Sequence, residues 1–411
     1  MSRIKIKYFG PINEGCFEND GFIDIKKVTT FIGNQGSGKS AVAKLISIFS
    51  WIEKSLVRGD FNKKWIERKN RLKNQFLNYH RMENYIKNQD TYIEYQGDAY
   101  TIIYKDNALN IHEVQNSYPL PQIMYVPAER NFISYVKKPK ELKLSSESLK
   151  EFLSEFDNAK ELLKYPVKLP VNNTDIEYDK LNDIINLKTE KYKIKLTEAS
   201  SGFQSLVPLF LVSNYLSNSV KEQSETSKEP MSNDEIKRFK DAVQGILQND
   251  DLTNEQRRAA LSVLSSKFNK TAFVNIVEEP EQNLFPLSQW QLLQSLLRFN
   301  NMNSGNKLIM TTHSPYIINF LSIAIQGSEV KTKIVENGNS QKLLSRLFKI
   351  VKNEALTNAS DVVIYQLDDS KGSIRTLPSE YNIPSDRNFL NDLLGEGNRL
   401  FDELLEIEED I

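Results

Sequence analysis

The residues from Gly33 to Ser40, GNQGSGKS, have the composition and spacing of a loop that binds phosphate. Its glycines allow a tight turn in which successive backbone N–H groups point at one anion, and the helix predicted from about Lys39 adds its positive dipole end. Lys39 is expected to reach the β- and γ-phosphates of a nucleotide, and Ser40 to ligate Mg²⁺. A preceding strand and a following helix are the context that this loop requires, so an incidental glycine-rich turn is the weaker interpretation. The residues predicted to hold the nucleotide here are Gly33, Asn34, Gly36, Ser37, Gly38, Lys39 and Ser40.

Two adjacent carboxylates, Glu278 and Glu279, follow the apolar run from Phe273 to Val277. A run of this composition predicts a strand buried on both faces, whose end lies at the ligand-binding edge of a parallel sheet. One carboxylate can hold Mg²⁺, directly or through water, and its neighbour can orient or deprotonate the attacking water. Burying two neighbouring carboxylates is costly without a cation, which weighs against an ordinary acidic strand end.

His313 follows a second apolar run, Leu308 to Met310, and the two threonines after it. A lone histidine is more often structural than catalytic. This one is predicted to lie one strand beyond the acidic pair, where an imidazole can hydrogen-bond a γ-phosphate. That position favours a role in the site.

Ser200, Ser201 and Gly202 open an apolar helix and form a second helix start suited to phosphate. One phosphate loop already encloses a nucleotide. A second anion site on a separate lobe therefore makes sense if it serves the nucleotide of another subunit.

Strand-like and helix-like stretches alternate around these motifs, which indicates an α/β fold with a parallel sheet. The residues between about 140 and 270 are mostly polar with a helical period. We therefore expect a discontinuous α/β lobe of residues 1–135 and 268–411. A helical lobe of residues 136–267, which carries Ser201, interrupts it, with an insertion at about 218–267. Low hydrophobicity and high charge over 218–234 predict a flexible connection.

The balance of charge is nearly even, with 53 basic and 54 acidic side chains among 411 residues. No global field would therefore draw the chain onto nucleic acid or an anionic membrane. A single cysteine, Cys16, excludes an internal disulfide framework and a cysteine-based zinc site, and suits a reducing cytosol. The first residues hold no apolar core of signal-peptide length, and the run LVPLFLV is far too short to span a bilayer. We expect a soluble cytoplasmic protein without membrane contacts.

The segment 54–87 is rich in lysine and arginine, interleaved with Trp65, Phe76, Tyr79 and Tyr85. This pattern is compatible with a nucleic-acid strip. It is more often a solvated helix face whose aromatic residues turn inward, and we favour that interpretation. Contact with nucleic acid stays open.

Four motifs in chain order carry a family resemblance. The loop GNQGSGKS, SSGFQ, VEEPE and TTHSP resemble the Walker A, signature, Walker B and switch-histidine motifs of ABC-type ATPases of the SMC and RecF kind. More narrowly, VPAER, EEPEQNLFP and TTHSPYIIN resemble the ATPase module of the OLD family and related bacterial phage-defence ATPases. The resemblance spans nearly the whole chain and implies an ABC-type P-loop ATPase lobe.

The resemblance also implies roles for the site residues. Lys39 and Ser40 would bind phosphate and Mg²⁺, Glu278 would take the metal-binding acidic position, and Glu279 would be the catalytic carboxylate. His313 would be the switch histidine. Ser201, with Gly202 beside it, would contact the γ-phosphate across a dimer interface.

Three departures from the family pattern bear on the rate of hydrolysis more than on nucleotide binding. Glu278 stands where an aspartate is usual, Phe203 stands where glycine is common, and Pro127 to Asn131 occupy the region of a glutamine loop. We expect slow hydrolysis. OLD proteins also carry a Toprim nuclease domain, built on a glutamate motif and a paired-aspartate motif. The closest stretches here, IVENGNS and YQLDDSKG, are too close together and lie in too short a tail to form that domain. Residues Val362 to Leu377 instead predict a hairpin.

The predicted function is therefore a nucleotide-driven dimerisation switch. The resemblance implies ATP and Mg²⁺ as cofactors, a homodimer or higher even-numbered oligomer through ATP sandwiching, and slow ATP hydrolysis. It further implies a sensor or regulatory subunit of a bacterial anti-phage system that controls a separate effector nuclease or toxin. Two alternatives stay open: a DNA repair or recombination ATPase that clamps DNA, and a nucleotide-gated scaffold with negligible hydrolysis.

Overall fold

A computed structural model describes residues 2–87, 90–114, 118–136, 144–226, 233–249, 252–253, 256–257, 260, 264, 270–338, 340–380 and 382–409. The strands of these residues are, in chain order, Arg3–Lys7 (β1), Gly15–Cys16 (β2), Phe22–Asp24 (β3), Val28–Gly33 (β4), Tyr92–Gln96 (β5), Tyr100–Lys105 (β6), Ala108–Glu113 (β7), Pro121–Val126 (β8), Val167–Lys168 (β9), Asp175–Asp179 (β10), Ile184–Lys188 (β11), Lys193–Lys195 (β12), Ala272–Glu278 (β13), Lys307–Thr312 (β14), Val362–Asp368 (β15), Ser373–Thr376 (β16), Ser379–Glu380 (β17) and Ile383–Pro384 (β18). The α-helices are Lys39–Arg58 (α1), Lys63–Ile66 (α2), Phe132–Tyr135 (α3), Glu147–Glu161 (α4), Ser201–Thr226 (α5), Asn233–Leu247 (α6), Pro286–Asn301 (α7), Pro315–Glu336 (α8), Gln341–Ile350 (α9) and Phe389–Glu409 (α10).

The central sheet has seven strands in the order β2-β16-β15-β4-β14-β13-β8. The five strands from β15 to β8 are parallel to one another, and β16 turns back antiparallel to β15. Every residue of β4, β8 and β13 is buried, as expected of parallel strands covered on both faces. The α/β class with a mostly parallel sheet is thus confirmed, as is the hairpin predicted for Val362 to Leu377.

Alternating residues of the central strands feed two apolar cores. On one face, residues such as Ile276 pack with α1 and with the antiparallel sheet β3-β1-β5-β6-β7. On the other face, the next residue, Val277, packs with α4, α5, α7 and α8. Because side chains alternate between the two faces of a strand, α1 and α5 lie on opposite faces of one sheet. Helix α1 follows the glycine-rich loop 33–40, and α5 begins at Ser201.

The segment 136–267 corrects the expectation of a helical lobe. Alongside α4, α5 and α6 it contains a four-stranded antiparallel sheet in the order β12-β11-β10-β9. Strand β10, DIEYD, alternates polar and apolar residues and buries Ile176, and β11, IINLK, buries Ile185 and Leu187. Both stretches therefore carry a short period-2 pattern, and they pair antiparallel with each other. The division of the chain into lobes and an insertion stays a prediction.

The flexible connection predicted over 218–234 is wrong for residues 218–226, which form the end of α5. The side chain of Val220 is fully buried there, so tertiary packing stabilises a stretch whose composition is polar. Residues 227–232 lie outside the described residues. Among the described helices, none combines the length and apolar character needed to cross a membrane.

Candidate functional site

The carboxyl ends of three neighbouring parallel strands meet at one edge of the central sheet. Strand β14 lies between β4 and β13, with Thr312 opposite Ile32 and Thr311 opposite Glu278. The loop after β4, the acidic pair at the end of β13 and the histidine after β14 therefore lie side by side. The fold brings together residues that are far apart in sequence, at the edge where α/β sheets bind ligands.

Two glycines make the turn between β4 and α1. Gly38 caps the helix in a left-handed conformation, with φ of 102°, and a Cβ there would lie 3.1 Å from Cγ1 of Ile12. Gly33 has φ of 149°, and a Cβ there would lie 2.5 Å from the carbonyl oxygen of Leu367. Both positions need glycine, because an added side chain meets both strain and a neighbour.

The ammonium group of Lys39 lies inside this loop. The residue is 5% exposed, and its Nζ donates hydrogen bonds to the carbonyl oxygens of Gly33 at 2.9 Å and Asn34 at 2.7 Å. Burial lowers the pKa of Lys39 to about 8, while the carboxylates of Glu279 and Glu281 oppose that shift. A buried cation held only by carbonyl oxygens gains a stronger partner when a phosphate arrives.

The other loop residues differ in how many hydrogen bonds they already make. Asn34 shapes the loop, because its Oδ1 accepts from the backbone N–H of Gln35 at 2.8 Å and its Nδ2 donates to Asp369 at 3.3 Å. Ser37 is 1% exposed, and its Oγ has no hydrogen-bond partner among the described residues. Ser40, in the first turn of α1, is exposed and free to face solvent.

Glu278 lies at the buried end of β13. Its Oε2 accepts a hydrogen bond from the backbone N–H of Ala128 at 3.2 Å, and its buried Oε1 makes no hydrogen bond of normal geometry among the described residues. The buried hydroxyl of Tyr125 lies beside the carboxylate and interacts with it. The residue is 4% exposed. An unpaired buried carboxylate oxygen is the kind of group that a cation satisfies.

Glu279 has an unusual backbone and a specific side-chain contact. Its φ is 44°, a left-handed conformation that costs about 1–3 kcal/mol for a residue other than glycine. Its N–H donates to the carbonyl oxygen of Thr311 at 2.9 Å, and its Oε1 lies 3.4 Å from Nε2 of His313. The contact with His313 lowers the pKa of the Glu279 carboxyl. Backbone strain of this kind is typical of functional sites, where the surrounding structure holds it.

Glu281 was not predicted to belong to the site. Its Oε1 accepts from the hydroxyl of Thr312 at 2.8 Å and from the backbone N–H of His313 at 2.7 Å. Burial raises the pKa of this carboxyl. Glu281 therefore shapes the turn that presents His313, and the only sequence signal for it was a third acidic residue in EEPEQ.

Arg130 was also missed, although VPAER had been noted for its resemblance. It is fully buried, and its guanidinium donates to four backbone carbonyl oxygens. These are Ser205 at 3.1 Å, Pro127 at 3.3 Å, Glu278 at 2.7 Å and Glu279 at 2.6 Å. Burial lowers the pKa of Arg130 to about 10, so it stays charged at neutral pH.

Ser201 and Gly202 do not join this cluster within one chain. Ser201 is exposed at the start of α5, and no hydrogen bond or ion pair between described residues links either residue to the loop 33–40. A Cβ at Gly202 would lie 2.8 Å from the carbonyl oxygen of Asn283, whose Nδ2 donates to Oγ of Ser205 at 3.1 Å. The start of α5 is therefore held against the segment that follows the acidic pair.

The residues present fit a nucleotide with Mg²⁺. The loop offers backbone N–H groups, the Lys39 ammonium and the unpaired Ser37 hydroxyl to phosphate, and Ser40 and Glu278 offer hard oxygen ligands. No group of three histidine, cysteine or acidic side chains within the described residues could hold a metal alone.

The aromatic residues of the segment 54–87 largely pack against one another. The rings of Phe61 and Trp65 stack with centroids 4.7 Å apart, and Phe76 is 8% exposed. The guanidinium of Arg71 lies 3.9 Å from the centre of the Trp65 ring. These contacts favour the inward-turned interpretation over a platform for stacking bases.

Neither a protein-family model nor a curated protein sequence matches the chain. Among solved structures, the SMC head domain from Thermotoga maritima is similar over 92% of this chain and 98% of that chain, with 11% identity and a TM-score of 0.36. The Smc head domain with an extended coiled coil, bound to the C-terminal domain of ScpA and derived from Pyrococcus furiosus, is similar over 98% and 100%, with 10% identity and a TM-score of 0.34. A nucleotide-free ATP-binding cassette from an ABC transporter is similar over 93% and 93%, with 11% identity and a TM-score of 0.29.

Proposed function

We propose that this chain is an ABC-type ATPase that binds ATP with Mg²⁺, hydrolyses it slowly, and uses it to switch between separate and paired copies. One observation carries the proposal. A buried lysine in a glycine-rich loop, a buried carboxylate with one unpaired oxygen, and a strained Glu279 in contact with His313 meet at one edge of a parallel sheet. This set of groups is what phosphoryl transfer to water requires.

The loop and the acidic pair divide the chemistry between them. The loop N–H groups and Lys39 would bind the β- and γ-phosphates, and Ser40 and Glu278 would hold Mg²⁺, which would neutralise phosphate charge. Glu279 accepts the proton of the attacking water. His313 orients the Glu279 carboxylate through Nε2 in the free chain, and the same N–H can instead donate to the γ-phosphate when the nucleotide is bound.

Slow hydrolysis follows from the charge state of Glu279. A general base works best when its pKa is near the operating pH. The contact with His313 lowers the pKa of Glu279, so the carboxylate is ionised at neutral pH and is a weaker base than an unperturbed glutamate. The same property supports a second candidate, a nucleotide-gated scaffold with negligible hydrolysis, and a turnover assay on the wild type separates the two.

The exposed start of α5 supports the pairing of two copies. Ser201 is solvent-facing and has no contact with its own phosphate loop among the described residues. In an ATP sandwich it contacts the γ-phosphate held by the partner, and two nucleotides then join two copies. A homodimer or a higher even-numbered oligomer results.

The resemblance of VPAER, EEPEQNLFP and TTHSPYIIN to phage-defence ATPases supports a cellular role for this switch. We propose that it controls a separately encoded effector, a nuclease or toxin, in a bacterial anti-phage system. Phage plating with the neighbouring genes present should show protection that Lys39→Ala abolishes. Equal protection by the Lys39→Ala chain would contradict this role without touching the ATPase assignment.

The two carboxylates provide the direct test of the site. Glu279→Gln should keep ATP·Mg²⁺ affinity and slow steady-state hydrolysis by about a hundredfold or more, because a positioned base is lost. Glu278→Gln should instead weaken the Mg²⁺-dependent part of nucleotide binding. Calorimetry and a phosphate-release assay on both variants decide the matter, with thermal unfolding as the control for folding. If Glu278→Gln kept binding and lost only turnover, the two roles would be reversed.

A further inference from the structure

Arg130 joins three segments through one buried guanidinium. It lies in the turn after β8 and donates to carbonyl oxygens of its own turn, of both residues of the acidic pair, and of α5. All four acceptors are backbone atoms, and the side chain is fully buried. The fixed fork of a guanidinium can satisfy several carbonyls at once in a way that a single ammonium cannot.

The contact with Glu279 bears on its strained backbone. Both polar backbone groups of this residue are held, the N–H by Thr311 and the C=O by Arg130. The left-handed φ of 44° directs the Glu279 carboxylate toward His313. The same carbonyl oxygen also accepts from the backbone N–H of Gln282 at 3.1 Å, which closes the turn locally. Arg130 is the contact that links this turn to the turn after β8 and to α5.

The contact with α5 reaches the other half of the proposed site. Nε of Arg130 donates to the carbonyl oxygen of Ser205, and the hydroxyl of Ser134, from the same turn, donates to the carbonyl oxygen of Gln204 at 3.1 Å. These carbonyls lie in the first two turns of the helix that begins at Ser201. The turn is therefore bonded to the acidic pair on one side and to the predicted interface helix on the other.

We infer that Arg130 is a positioning residue that holds Glu279 in its hydrolytic conformation and ties that conformation to the position of α5. The inference rests on the proposed function. A shift of α5 on pairing acts on the carbonyl of Ser205, the guanidinium follows, and the peptide after Glu279 moves with it. Hydrolysis in one copy thereby depends on contact made by the other.

The test compares Arg130→Lys with Arg298→Lys, a half-buried arginine in the last turn of α7. Arg130→Lys keeps charge and length but loses the fork, so ATP affinity by calorimetry should stay within about threefold of wild type. The turnover per folded molecule, at saturating protein and ATP, should fall by roughly ten- to a hundredfold, because small displacements of a catalytic group have effects of that size. Arg298→Lys should leave turnover unchanged.

A second readout does not depend on activity. Without nucleotide, hydrogen exchange should become faster in peptides covering 272–284 and 201–210 together in Arg130→Lys, and in neither for Arg298→Lys. Ser134→Ala removes only a contact to α5, so it should raise the protein concentration needed for half-maximal turnover and leave the plateau unchanged.

A lower unfolding temperature with wild-type turnover per folded Arg130→Lys molecule would overturn the inference and reduce Arg130 to a structural residue. Faster exchange confined to one of the two segments would overturn the coupling. If the wild type itself failed to bind ATP, the proposed function would fail instead, and the exchange result would still report on the link between the acidic pair and α5.

Discussion

At the scale of single residues, Lys39 sets the pH range in which the proposed nucleotide can bind. In the free chain its ammonium is taken out of water and bonded to two carbonyl oxygens of its own loop. Neutral carbonyls compensate only part of the lost hydration, which is why burial lowers the pKa to about 8. Phosphate oxygens stabilise the charged form more strongly, so binding should raise the pKa again.

Affinity for ATP should therefore fall as pH rises. Below pH 8 the free lysine is already charged, and affinity is at its maximum. Above about 8 binding must first add a proton, so the dissociation constant should increase by up to about tenfold per pH unit until the pKa of the complex is reached. Calorimetry between pH 7 and 9.5, in buffers of different ionisation enthalpy, measures both the affinity and the proton uptake.

Lys39→Arg is the matched control, because a guanidinium keeps its charge throughout this range. Whatever its affinity, the variant should show no change with pH between 7 and 9.5 and no proton uptake. A wild-type affinity that stays flat to pH 9.5 would mean that Lys39 does not carry the titrating contact.

At the scale of secondary-structure elements, α5 contains a proline whose effect is compensated from outside the helix. Pro208 has no N–H, so the carbonyl oxygen of Gln204, four residues earlier, lacks its helical donor. The hydroxyl of Ser134 donates to that oxygen instead. The proline thus opens the position at which the turn carrying Arg130 attaches to the helix.

A double-mutant cycle tests this compensation. Ser134→Ala should lower the free energy of unfolding by about 1 kcal/mol or more, because a buried carbonyl loses its partner. In the Pro208→Ala background, the alanine supplies an N–H to the carbonyl oxygen of Gln204, so Ser134→Ala should lower the free energy of unfolding by less. Urea unfolding of the two single variants and the double variant should give a coupling energy of about 1 kcal/mol.

Ser217→Ala is the control for the cycle. Ser217 is a buried serine of the same helix whose hydroxyl donates to the carbonyl oxygen of Asn214 at 3.1 Å, away from the proline. Its cost should be the same in the wild-type and the Pro208→Ala backgrounds. Equal costs of Ser134→Ala in both backgrounds would contradict the explanation.

At the scale of the whole molecule, the proposed site is incomplete in one copy. Lys39, Glu278, Glu279 and His313 share an edge of one sheet, whereas Ser201 faces solvent at the start of a helix on the other face. Two copies related by a twofold axis can each place a helix start against the other's phosphate loop. Blocking hydrolysis should trap that arrangement.

Glu279→Gln with ATP·Mg²⁺ should therefore sediment as a dimer and return to monomer without nucleotide. Adding Ser201→Arg should prevent the dimer, because a bulky cation would occupy the position of the partner's γ-phosphate, while ATP affinity of the single copy stays nearly intact. Leu181→Arg, at a residue that is 97% exposed on the β10–β11 turn, is the matched control and should leave the dimer in place. If the chain carrying both Glu279→Gln and Ser201→Arg formed dimers at the same protein concentrations as the chain carrying Glu279→Gln alone, the shared site would be ruled out.

The glycine-rich turn before α1, the buried acidic strand end and the α/β class could be predicted from the sequence because their physical causes are local. A glycine-rich turn before a lysine, or an apolar run ending in carboxylates, carries its chemistry in contiguous residues. The roles of Ser201, Glu278, Glu279 and His313 stay predictions, although the last three lie together as the parallel sheet requires.

Only the tertiary structure decided how these pieces are held. Arg130 and Glu281 act through backbone groups of distant segments, and a carbonyl or N–H leaves no signature in the residue that carries it. Strands β10 and β11 are stabilised by pairing with each other, and residues 218–226 are helical as the end of α5, where the side chain of Val220 is buried. The sequence by itself determined which groups are available for chemistry, while contacts between residues far apart in the chain determined their positions, since hydrogen bonding and burial depend on which segments meet.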